Sequence, residues 1–228
     1  SIAEGTTPLV SVPALADELG VGSVAVKDEG RNPTGSLADR KLSLAVAAAL
    51  AQGADRVATP STANGAQAAA AYAARAGIDS KGFVPSRCPF LNKAMVNVHG
   101  GDMYVVEGRY ADAVDAFEGS DEQFASVAPG HPFRIAGATV LALELLADRE
   151  WTAPDAVVHP TGHGETVLGL QRGFDLAVEA GLADRVPRVY AAQPESCAPL
   201  ADAVQSGDAE PTAVDHPDTI VGPLEVPE

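Results

Sequence analysis

Asn32-Pro33-Thr34-Gly35-Ser36-Leu37-Ala38-Asp39-Arg40 follows the strand-like run Val24-Ala25-Val26-Lys27 and opens an Ala-rich helical pattern. Pro33 and Gly35 mark a tight turn. Ser36 is a good N-cap residue, and Asp39 three positions on gives the outline of a capping box. A strand, a turn and a capped helix together set a helix N-terminus where it can face an anionic ligand. Taken alone, the stretch reads equally well as an ordinary βα turn.

The same strand–turn–helix unit recurs along the chain. Leu15 and Leu19 predict a short helix over 13–19 that Gly20 ends. The helix opened at Ser36 runs to about Ala51 and stops near Gly53. Arg56-Val57-Ala58-Thr59 predicts a strand leading through Pro60–Gly65 into a nearly all-Ala helix that Gly77 ends. Gly82–Pro85 and Met103–Val106 predict further strands, with 119–130 a polar loop. Val140–Leu146 reads as an apolar helix. Ala156-Val157-Val158-His159 reads as a buried strand and Pro187–Pro194 as another, while 201–218 is acidic and loop-like. Repeated βα units predict an α/β fold in three layers, with a mostly parallel sheet and helices on both faces.

Composition excludes several function classes. An apolar content of 46% supports a proper core, and no run of eighteen apolar residues could span a membrane. A formal charge of −16 excludes nucleic acid and anionic membranes as partners, since no basic patch could neutralise phosphates. Lysine occurs only at 27, 41, 81 and 93. Abundant Asp and Glu with scarce Lys fit a halophile-like solvated surface or an ordinary acidic protein. Cys88 and Cys197 lie far apart and read as reduced thiols, and no leader segment precedes Ser1, so a cytoplasmic protein is expected.

Two further stretches carry chemistry. Ser61-Thr62-Ala63-Asn64 places a hydroxyl, small residues and an amide at a strand-to-helix turn. That arrangement suits a flat ligand, or Asn64 simply caps the helix. Pro160-Thr161-Gly162-His163-Gly164-Glu165-Thr166 is a Gly-rich loop that can present backbone N–H groups to a phosphate, or use its glycines only for packing. Glu165 would put a carboxylate near that phosphate. At ~5 Å and an effective dielectric of ~20, each pair of unit charges repels by about 3 kcal/mol. His159 and His163 beside Glu165 raise a metal site. Zinc needs three or four converging ligands, and Pro160 and Gly162 interrupt the pair, so no metal is expected.

Lys27–Ser36 resembles the threonine synthase family of fold-type II pyridoxal-phosphate (PLP) enzymes. The resemblance extends to Glu4-Gly5-Thr6-Thr7-Pro8-Leu9, Ser61–Asn64, Val98–Gly108, the glycine loop with Gly169, Gly173 and Phe174, Pro187–Gln193 and Thr219–Gly222. It implies a tryptophan-synthase-β-like architecture, short at both ends, with a larger domain (1–43 and 131–228) and a smaller one (44–130). It implies PLP as cofactor, a small-molecule amino-acid or phosphate ligand, and a homodimer. Asn64 would bond the cofactor's ring hydroxyl, and Gly162, His163, Gly164, Glu165 and Thr166 would hold its phosphate.

The family reads Phe-Lys-Asp-Arg where this chain reads Leu37-Ala38-Asp39-Arg40, so Ala38 takes the place of the Schiff-base lysine. Ala136 and Ala138 likewise replace a Glu and a Lys, and Ala63 replaces a Gly. The family reaction turns O-phosphohomoserine and water into threonine and phosphate. The lysine anchors the cofactor and moves substrate protons, and an alanine can do neither. Lys41 is the candidate substitute, ~4.5 Å further along the same helix. Lys93 matches a family position but is expected to be structural. Three readings stay open: a degenerate, catalytically impaired homologue; a working lyase that uses another lysine; and a non-enzymatic anion-binding or partner module.

Overall fold

A computed structural model of the chain describes residues 1–215 and 217–226. In chain order the elements are β1 (Leu9–Ser11), α1 (Pro13–Leu19), β2 (Ala25–Lys27), α2 (Ala38–Ala51), β3 (Arg56–Pro60), α3 (Asn64–Ala76), β4 (Asp79–Pro85), α4 (Phe90–Val98), β5 (Asp102–Val106) and α5 (Tyr110–Glu118). These are followed by β6 (Ala125–Ser126), α6 (Pro132–Asp148), β7 (Ala156–Pro160), α7 (Glu165–Glu179), β8 (Arg188–Ala192) and α8 (Pro199–Ser206).

Strands β5, β4, β3 and β6 form a parallel sheet in that order, with Val57 opposite Ser80 and Gly82 opposite Met103. Side chains alternate between its faces. Phe83 points to one face, where its ring meets Phe117 of α5 edge-on at 5.5 Å. Gly82 points to the other, where a Cβ would come within 2.7 Å of Ala66 of α3. Helices therefore cover both faces, and the Ala-rich α3 lies close because its side chains are small. Leu42, Val46, Val57, Tyr72 and Val127 form the core joining α2 to this sheet.

Strands β7 and β8 pair in parallel, and β1 pairs with β2 in the one antiparallel ladder of the described residues. Leu141, Leu146, Leu170 and Phe174 pack α6 and α7 onto Val157 and Val189. The opposite face is bare: Val158 is 68% exposed and Tyr190 48%. The expectation of a fully buried strand at 156–159 is thus corrected to one covered on a single face. Apolar composition alone does not distinguish the two.

Three local expectations also change. No capping box forms at Ser36, because α2 starts after Leu37. Ser36 Oγ accepts from the Ala38 amide at 3.2 Å, and Asp39 turns back to accept from Thr34 N at 3.1 Å and Thr34 Oγ1 at 2.7 Å. The 119–130 loop contains the short strand β6. The stretch expected to be loop-like from 201 overlaps α8, whose C-terminus is the left-handed Gly207 (φ 77°).

Candidate functional site

The Glu4–Leu9 and Lys27–Arg40 stretches are joined in one buried ion network under the N-terminal end of α2. Arg40 donates from Nε to Glu29 Oε2 at 2.6 Å and from Nη2 to Glu29 Oε1 at 2.8 Å, a two-pronged pair. Its Nη1 reaches Glu144 of α6 at 2.7 Å. Lys27 Nζ meets Glu144 and Asp148, each at 2.6 Å. Thr7 N donates to Glu144 Oε1 at 2.8 Å, Gly5 N donates to Asn32 Oδ1 at 3.0 Å, and Asn32 Nδ2 donates to Glu29 Oε2 at 2.9 Å. Burial would raise the Glu144 carboxyl, but bonds from Arg40 and Lys27 hold it at about 2. These residues fix the loop that leads into Ala38.

Asp39 is fully buried, and its Oδ1 has no hydrogen-bond partner. Burial pushes its pKa up, against the bonds from Thr34. Ala38 itself is buried beside Leu42 and Ala45.

On the neighbouring side, Ser61 leads into α3. Ala63 has φ −178°, outside the left-handed region that would call for the expected glycine. Asn64 does not cap the helix. It is the first helical residue, and its Oδ1 accepts from Asn92 Nδ2 at 3.1 Å. Asn92 also donates to Gln67 Oε1 at 2.8 Å, and Gln67 donates to Thr34 O at 3.0 Å. An amide relay thereby links the Asn32–Arg40 loop, α3 and α4. Lys93 donates to Ser86 O at 2.8 Å, holding the β4–α4 turn.

The glycine loop ends β7 and starts α7. Gly164 takes φ 75°, the left-handed region that favours glycine. The first-turn N–H groups of α7 have no intrahelical acceptor, which is what gives such a loop its affinity for anions. Residues 222–226 lie over it: a Cβ at Gly162 would sit 3.0 Å from Val226 Cγ2 and 3.3 Å from Pro223 O. Glu225 anchors this strap to Arg87 at 3.0 Å and Arg109 at 3.2 Å.

Glu165 is 3% exposed and points between α2 and α6. Its Oε1 accepts from Arg134 Nε and Gly130 N, each at 2.9 Å, and its Oε2 accepts from Arg134 Nη2 and Lys41 Nζ, each at 3.0 Å. Burial works to raise its pKa, but Arg134 and Lys41 hold it at about 2. The carboxylate is ionised and neutralised internally, so the repulsion expected against an anion at the loop is offset by two cations. Burial lowers the Lys41 ammonium pKa and Arg134 lowers it further, while Glu165 opposes both.

His163 Nε2 lies 2.8 Å from Tyr110 Oη, tying the loop to α5. Burial, with Arg134 nearby, lowers His163 to about 4. Burial, with Lys41 nearby, does the same to His159. The two histidines take different partners, His159 lying 3.4 Å from Thr161 Oγ1. No cluster of three metal-ligating side chains occurs among the described residues.

Of the residues singled out from sequence, Lys41, His163, Glu165 and Thr166 gather at the N-terminal end of α7, while His159 lies on β7 beside Thr161. Asn64 belongs to the amide relay instead. Sequence reasoning missed Arg134, Gln67, Asn92 and Tyr110. Arg134 stands two residues before Ala136, but nothing local shows that an arginine at a helix start has a buried carboxylate partner 31 residues on.

Comparisons with known proteins agree with this geometry. A family model described as "Pyridoxal-phosphate dependent enzyme" matches residues 1–228. The chain is 31% identical to threonine synthase of Methanosarcina acetivorans, over 99% of this chain and 56% of that protein. It is 33% identical to threonine synthase of Mycobacterium leprae, over 99% of this chain and 61% of that protein. The chain thus spans little more than half the length of these relatives. Its fold superposes on a fungal L-serine ammonia-lyase from Rhizomucor miehei with a TM-score of 0.85 at 22% identity, covering 97% of this chain and 69% of that one. Maize serine racemase gives 0.81 at 22%, covering 98% and 66%. From the full-length family match and the shared α/β architecture, this chain belongs to the pyridoxal-phosphate-dependent enzyme family, in its fold-type II branch.

Proposed function

We propose that this chain is a threonine synthase-like member of the family, catalytically impaired because Ala38 stands where the family carries its cofactor-binding lysine. The observation that carries this reading is chemical. Ala38 has no amine, and the neighbouring candidate, Lys41, has its Nζ on Glu165 at 3.0 Å. The cofactor of the family is PLP, which as a bound imine supplies an electron sink to an amino-acid substrate. The residues present do not fit it in that form, so no reaction step is assigned through it. A non-covalent role for the loop fits better: the α7 N-terminus with Gly162, His163, Gly164 and Thr166 would take a phosphate or amino-acid carboxylate, while Asn64 stays in the amide relay with Asn92.

In this reading residues 1–43 and 131–228 form the larger domain and 44–130 the smaller, joined by the Tyr110–His163 and Glu225–Arg109 contacts. Residues 216, 227 and 228 of that larger domain lie outside the described residues. An excess of 31 acidic over 15 basic side chains supports a halophile-like surface, and the free thiols Cys88 and Cys197 are in keeping with a cytoplasmic protein. No helix among the described residues is long and apolar enough to cross a membrane. A homodimer is part of the proposal by family analogy.

The test compares the wild type with Ala38→Lys. Phosphate release from O-phosphohomoserine should stay at background in the wild type, while Ala38→Lys should gain the visible absorbance of a PLP imine. Wild-type turnover well above background would overturn the reading in favour of a working lyase.

A further inference from the structure

We propose that Lys41, Arg134 and the Gly130 amide form a carboxylate-binding site that the chain fills with its own Glu165. Each Glu165 oxygen accepts two hydrogen bonds, four in all between 2.9 and 3.0 Å. That is the full complement a bound anion receives, with a two-pronged guanidinium at its centre. Arg134 is 4% exposed and is aimed by a further bond from Nη1 to Val127 O at 2.9 Å. The donors come from three segments: α2, the turn before α6, and α6 itself. The acceptor is the first residue of α7. The carboxylate therefore does what an anionic ligand would do at this junction: it ties the start of α7 to α2 and α6. A free carboxylate such as formate or acetate presents the same two oxygens, and the site accepts one only when Glu165 is gone.

The donors are also kept from other work. Lys41 Nζ is engaged by Glu165 at 3.0 Å; burial and Arg134 lower its pKa, and Glu165 opposes both. This proposal does not depend on the role assigned to Ala38.

Thermal melts of wild type, Glu165→Ala and Glu165→Ala/Arg134→Met, with sodium acetate or formate exchanged for chloride at constant ionic strength, test it. The wild type sets the baseline, including any response of the α7 N-terminal loop to either anion. Glu165→Ala should melt lower by on the order of 10 °C, since breaking a buried pair strands its cations. It should recover saturably with acetate or formate, and the double variant should show no recovery. A Glu165→Ala melt equal to the wild type, or a loss that neither anion restores beyond the wild-type response, would each overturn the proposal. Should Glu165→Ala fail to fold, Glu165→Gln keeps the side-chain shape. Lys41 should then undergo reductive methylation several-fold faster than in the wild type, followed by peptide mass spectrometry, and equal rates would contradict the proposal.

Discussion

Lys41 and Ala38 stand three positions apart on α2, and their environments separate them. Ala38 packs into the core beside Leu42, whereas Lys41 is drawn to Glu165. The charged residues around them make stability depend on pH, with the lowered histidines and glutamates acting together and the raised Asp39 carboxyl opposing them. Burial, reinforced by Lys41 for His159 and by Arg134 for His163, lowers both histidines from 6.5 to about 4. The unfolded chain then binds more protons between those values, so their stability is fully present above about 6.5 and is lost as pH falls to about 4. Each shift is worth up to about 3 kcal/mol. Glu144 and Glu165, held at about 2 against an ordinary 4.5, add a second loss as pH falls through that lower window. Urea-unfolding midpoints should therefore drop steadily between about pH 6.5 and about pH 4, and more steeply below; a midpoint flat across the histidine window would contradict the buried, neutral assignment. Glu165 was legible in the sequence as a charge in the wrong place. Its partners were not, because Lys41 and Arg134 are remote in the chain and nothing in local pattern pairs them.

Helices α6 and α7 run side by side in contact too close for ordinary side chains. A Cβ at Gly169 would lie 2.6 Å from Ala138 Cβ, and one at Gly173 would lie 2.5 Å from Thr139 O. On the other side of α6, a Cβ at Gly137 would lie 2.2 Å from Arg40 O. Ala138, read from sequence as a lost charged residue, is fully buried in this contact. Gly173→Ala should cost about 1–3 kcal/mol by forcing the helices apart, read as a lower melting temperature; an unchanged melt would show that the interface gives way freely. The glycines were recognised in the sequence, but their purpose needed the packing. Helix ends were legible where Gly20 and Gly77 punctuate them in the left-handed region. Helix α8 was not, because it is only 8 residues long and Val204 is 81% exposed, leaving too short an apolar pattern to read. The capping box was misread because Asp39 found a better partner in Thr34.

At the scale of the molecule, the motifs that reveal the family prove to be largely scaffold. Glu29, Asn32, Arg40 and Thr7 bond one another and Glu144, so the loop keeps its shape whatever residue stands at 38. The parallel α/β architecture was legible from the repeated βα units alone; the single-sided cover of β7 and β8 was not, because strand composition does not say what lies beyond a face. A fold that retains its frame, has no amine at Ala38 and neutralises Glu165 internally is expected to stand without a covalent cofactor. The most direct test is to incubate the wild-type protein with PLP, reduce with borohydride to fix any imine, and map the four lysines (27, 41, 81 and 93) by peptide mass spectrometry. The account predicts no more label on Lys41 than on the other three, and stoichiometric labelling at position 38 in Ala38→Lys treated alike. Stoichiometric, selective labelling of Lys41 in the wild type would contradict it.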